Sequence, residues 1–131
     1  MALKDLLIDV DQIEEKAIEG LVGVFVRYDP EKKIVIFLPD ETVKLSTAQK
    51  IVIFLTALRG WRFLRKDSSS KLEIASPKDI ALAIGENRST VRNHIQQLSK
   101  KGLIYKTRNG RYKVASYAIP KIQSYLKKGT S

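Results

Sequence analysis

Between Ser76 and Gly102 the chain carries two helix starts and two helix stops with almost nothing between them. Ser76 precedes Pro77, a residue suited to a first helical position, and Asp79 stands at capping-box distance. Ile80, Ala81 and Ile84 supply an inner face, and Gly85 is a stop signal. Asn87 then caps a second helix starting at Arg88, whose Val91, Ile95 and Leu98 point inward by their spacing of four and three. Gly102 ends it. Two helices separated by so short a turn must cross steeply to bury both faces in one core.

That core stripe decides what is left outside. On a 3.6-residue period Ser89, Asn93, Gln96 and Lys100 lie opposite it, Thr90 and Arg92 flank it, and Arg88 stands at the helix start. Hydroxyl, amide and guanidinium groups without an acid among them suit phosphates and base edges in a major groove. Any surface helix shows polar residues; its place as the second helix of a tight pair tips the reading toward DNA.

Leu103–Thr107 and Arg111–Ala115 follow, flanking Arg108-Asn109-Gly110. Asn-Gly between alternating runs is a strong hairpin signal, since both residues accept positive φ. A two-residue Asn109-Gly110 loop would set Thr107 against Tyr112 and Tyr105 against Val114, with both tyrosines facing the core. It would also set Arg108 against Arg111 and Lys106 against Lys113. Like charges directly opposite are unfavourable unless an anion lies beside them, although splayed side chains on an exposed ribbon lose little.

Charge sharpens the reading. Residues 1–45 carry a net −4 and residues 46–131 a net +14. After Glu86 come eleven Lys and Arg and no acid. Solubility needs no such change of sign along a chain, whereas a phosphate backbone relieves the self-repulsion and releases counterions.

The remaining segments read more coarsely. Leu3, Leu6, Leu7, Val10, Ile13 and Ala17 have mostly helical spacing, with acids between them, and Gly20 is the expected cap. Asp9, Asp11, Glu14 and Glu15 read as a solvated face. Leu21–Tyr28 and Lys33–Leu38 are β-branched and aromatic runs around Asp29-Pro30-Glu31-Lys32, and predict a hairpin that is apolar on both faces. Ser46 and Gln49 have capping-box spacing ahead of the stripe Ile51, Phe54, Leu55, Leu58. Gly60 weakens or ends that helix, and Trp61–Leu64 fits either continuation or departure. Lys66–Lys71 is a polar loop, and Leu72–Ala75 a short strand. Ile119, Ile122, Tyr125 and Leu126 mark a C-terminal helix, which can dock on its own domain or on a twofold mate.

The order of short strand, helix, helix and basic hairpin, with the motif SPKDIALAIGENRSTVRNHIQQLSKKGLIYKTRNGRYKV at residues 76–114, resembles the winged helix-turn-helix domain. Its segment NRSTVRNHIQQLSKKGLI is similar to the recognition helix and first wing strand of bacterial and archaeal transcriptional regulators. The likeness extends over Ser46–Ala115 if the helix from Ser46 is the first of three; the connection from Leu58 to Ser76 is longer than the pattern. It implies an α+β fold: a three-helix winged helix-turn-helix core with a two-stranded wing, preceded by an N-terminal helix and β-hairpin and followed by a C-terminal helix. It implies a positioning helix at Ser76–Ile84 and a recognition helix at Arg88–Lys101, with Ser89, Thr90, Arg92, Asn93 and Gln96 nearest the bases. Lys106, Arg108, Arg111 and Lys113 would form the wing, on phosphates or a minor groove.

The expected organisation is therefore 1–45 as an acidic helix and hairpin for dimerisation or partner docking, 46–116 as the DNA-binding domain, and 117–131 as a C-terminal helix and tail. The expected partners are double-stranded DNA and a second copy, with no membrane and no cofactor. An adaptor in a transcription, replication or segregation complex, or a non-specific DNA-binding protein, is the rival reading. No Walker-A, GxSxG, HExxH or GxGxxG pattern occurs, so enzymatic activity is not expected. With no cysteine and one histidine, His94, thiolate and multi-histidine metal sites are excluded. His94 falls at the edge of the inward stripe and reads as a packing residue. The longest apolar run is Ile51–Leu55 and acids occupy the N-terminus, from which a soluble, cytoplasmic protein is expected.

Overall fold

The computed structural model describes Leu3 and residues 10–64 and 70–129. Expectations for Leu6, Leu7 and Lys66–Ser69 lie outside them. The elements are α1 (Val10–Val22), β1 (Val26–Asp29), β2 (Ile34–Phe37), α2 (Pro39–Thr42), α3 (Thr47–Arg59), α4 (Trp61–Leu64), α5 (Pro77–Ile84), α6 (Arg88–Lys100), β3 (Tyr105–Lys106), β4 (Tyr112–Lys113) and α7 (Ile119–Gly129). The fold is α+β and mostly helical, with two separate antiparallel hairpins.

α3 is the axis of the molecule. Ser46 and Gln49 form the reciprocal capping box that their spacing predicts. Beyond the expected stripe, every residue from Ile51 to Arg59 is buried, because α3 has neighbours all round: α1, α5, α6, α7, both hairpins and the 3-10 turn Ser70–Glu73. A helix that is hydrophobic on all sides belongs at the centre of a core. Gly60 ends it and Trp61–Leu64 departs as a separate helical turn.

Four expectations need correction. α1 does not stop at Gly20; it runs to Val22, and the turn closes with the Gly23 amide on the Glu19 carbonyl. Ile18 and Val22 are both buried, so Val22 serves as a helical core position and the strand begins only at Val26. Ile13 points outward while Glu14, expected in solvent, is largely buried against Arg59. Leu72–Ala75 is not a strand: Ser70–Glu73 form a 3-10 turn because Glu73 turns inward to Arg59 and Arg62, leaving Ala75 as a single bridge to Tyr112.

The second hairpin is the fourth departure, in its register. Tyr105 lies opposite Lys113 and Lys106 opposite Tyr112, one residue off the expected register. The loop holds three residues, with the Thr107 amide on the Arg111 carbonyl at 2.7 Å and Gly110 at φ 71°. A three-residue loop with its last residue left-handed is a favoured hairpin solution, and it uses the glycine where positive φ is required. The stacked Arg108–Arg111 and Lys106–Lys113 pairs therefore do not form, and Tyr105 is on the surface rather than in the core.

The first hairpin keeps one face inward. Val26 pairs with Phe37 and Tyr28 with Val35, all buried or half-buried, while Ile34 and Ile36 face out at 45% exposure each. α7 docks on its own chain, burying Ile119, Ile122 and Leu126 in the core shared with α1 and α3.

Candidate nucleic-acid interface

The helix pair forms as its caps predict. Ser76 and Asp79 complete a capping box, Gly85 takes the left-handed conformation at φ 73°, and Asn87 Oδ1 accepts the Thr90 amide at 2.8 Å. Ile80, Ala81 and Ile84 of α5 and Val91, Ile95 and Leu98 of α6 are buried. This fixes the rotation of α6. Arg88, Ser89, Arg92, Asn93, Gln96 and Lys100 are exposed, Thr90 is half-buried, and His94 sits half-buried at the edge of the inward stripe.

Two adjoining clefts join this face to the basic hairpin. One, of about 280 Å³, lies among Pro77, Arg92, Gln96, Lys106, Gly110 and Tyr112. The next, of about 370 Å³, runs past Gln96, Lys100, Ile104, Tyr105, Lys106 and Tyr112. Gln96 and Lys106 line both, so the middle of α6 and the first hairpin strand share one concave surface. Arg108 and Arg111 are exposed near the hairpin tip. Lys113 lines neither cleft; it lies half-buried across from Tyr105, its ammonium 6.0 Å from the ring centroid.

The concavity is basic along its length. Arg92, Lys100 and Lys106 line it, and no acid follows Glu86 in the chain. Asp79 of α5 accepts the Ser76 amide and lines neither cleft. Sequence reasoning missed Tyr105 and Tyr112 as lining residues. Tyr105 is turned outward by a one-residue choice of hairpin register, to which an alternating pattern is blind, while Tyr112 stays half-buried against the core. Among the described residues there is no group of three or more acidic or histidine side chains able to hold a metal ion, and no helix is long and apolar enough to cross a membrane.

No protein-family model matches the chain, and no curated protein matches it. Among solved structures, the chain is similar to one described as "Mechanism for regulation of DNA binding of Bordetella bronchiseptica BpsR by 6-hydroxynicotinic acid", at 17% identity and a TM-score of 0.40, over 96% of this chain and 72% of that one.

Proposed function

We propose that this chain is a winged helix-turn-helix regulator that reads double-stranded DNA by sequence. α6 is the recognition helix, laid in the major groove, and the β3–β4 hairpin is the wing, on phosphate or a minor groove. The observation that carries the reading is the acid-free α6 face sharing one concave surface with a basic hairpin. Asn93, Arg92 and Gln96 bear groups that can make paired bonds to base edges. Lys100, Lys106, Arg108 and Arg111 supply charge for phosphates, whose contacts position without specifying. The protein acts as a dimer through the outward face of the first hairpin, where Ile34 and Ile36 are exposed. Two recognition helices would then read half-sites about 34–36 Å apart.

The adaptor reading draws on one observation: Leu82 is 75% exposed on α5, beside an apolar groove that continues to Ile34. Footprinting on genomic fragments at near-physiological salt separates the two. A discrete protected site supports the regulator. Equal, strongly salt-dependent binding to every duplex supports the alternative.

A further inference from the structure

The basic hairpin has strands of only two residues, too few ladder bonds to fix where its arginines point. Its root rests on the buried Leu103, Ile104 and Val114, and one buried side chain from α3 reaches it as well. Arg59, the last residue of α3, donates from Nη1 to the Val114 carbonyl at 3.2 Å, one residue beyond β4. The same nitrogen lies 4.0 Å from Glu73, which Arg62 also holds at 3.1 Å. Glu73 stands two residues before Ala75, and Ala75 exchanges both backbone hydrogen bonds with Tyr112 of β4. Arg59 thus grips the root from both sides. Its other terminal nitrogen is 3.0 Å from Glu14, in the middle of α1, and the side chains of Arg59, Glu14 and Glu73 are no more than 10% exposed.

We propose that Arg59 is the positioning residue of the basic hairpin and that Glu14 sets its position, so that the N-terminal helix and the DNA-facing hairpin are coupled. Away from water, removing the Glu14 charge leaves Arg59 only a share of Glu73. The guanidinium must then shift toward Glu73 or toward entering water, and either movement pulls on Val114 and on the segment carrying Ala75. The effect on DNA rests on the function proposed above. Order at the hairpin root can be measured without DNA.

The test compares the full chain with Glu14→Gln and Glu15→Gln, which remove the same charge from neighbouring positions; Glu15 is exposed. Amide exchange at Ala75 and Tyr112 should rise about tenfold relative to Ile95 in the Glu14 variant, and stay unchanged in the Glu15 variant. On a mixed-sequence duplex, only Glu14→Gln should weaken binding, by about three- to tenfold, and flatten the salt dependence. That loss should vanish in an Arg108→Ala, Arg111→Ala background, since the hairpin carries it. Should Glu14→Gln fold poorly, Glu14→Asp must move the same amides less far in the same direction. An unchanged exchange ratio, or an equal loss of affinity in both backgrounds, overturns the proposal. If the wild type binds no duplex, the proposed function fails and the exchange ratio alone decides the coupling.

Discussion

The Tyr28 hydroxyl donates to the Ala57 carbonyl at 2.5 Å, its ring meets Trp61 edge-on at 5.0 Å, and a Cβ at Gly60 would collide with that hydroxyl. Gly60 has helical dihedrals, so its role is space, not backbone freedom. Gly60→Ala should therefore destabilise the chain despite the better helix propensity of alanine, and Tyr28→Phe should recover part of that loss in the double variant, by urea unfolding. Burial raises the Tyr28 phenol above its ordinary 10.0. The unfolded chain ionises there while the folded one keeps its proton. This contribution to stability is thus full below pH 10.0 and falls as pH rises past it. Tyr28→Phe should cost about 1 kcal/mol at neutral pH and show a shallower alkaline decline. Neither Tyr28–Gly60 nor Glu14–Arg59 was legible in the sequence. Each joins residues far apart in the chain, and periodicity reports only which face of an element is apolar.

What was legible at the scale of elements is what local chemistry decides. Ser46, Ser76 and Asn87 cap where their side chains can reach an amide three residues on, and Gly85 ends α5 because it alone among its neighbours bears a left-handed backbone without strain. The second hairpin was legible as a hairpin but not in register, because two-residue and three-residue loops use the same Asn-Gly. A Cβ at Gly110 would meet nothing within 4 Å, so only the φ of 71° resists substitution there. Gly110→Ala should cost about 1 kcal/mol and Gly110→Asn less, since asparagine tolerates that region; thermal melts of both decide it. Ala81 is 5% exposed on the inner face of α5, so a larger side chain there must push into the core. Ala81→Leu should cost ~1–3 kcal/mol in urea unfolding.

At the scale of the molecule, the acidic first third and the basic remainder pack around one core cluster. α7 is used within its own chain, so the proposed dimer would form through the outward face of the first hairpin, where Ile34 and Ile36 are exposed. Light scattering should return a dimer at micromolar concentration, and Ile34→Lys with Ile36→Lys should return a monomer of 14.8 kDa. The central claim is a division of labour between α6 and the basic hairpin, and anisotropy titration on a preferred and a scrambled duplex at several salt concentrations tests it most directly. Asn93→Ala or Arg92→Ala should cost ~1–3 kcal/mol on the preferred duplex and little on the scrambled one. Arg108→Ala with Arg111→Ala should weaken both duplexes alike and lower the slope of log K against log salt by roughly 0.9 for each phosphate no longer neutralised. Helix variants that weaken both duplexes equally, with hairpin variants that harm only the preferred one, would contradict the account, as would two sets of variants that bind like wild type.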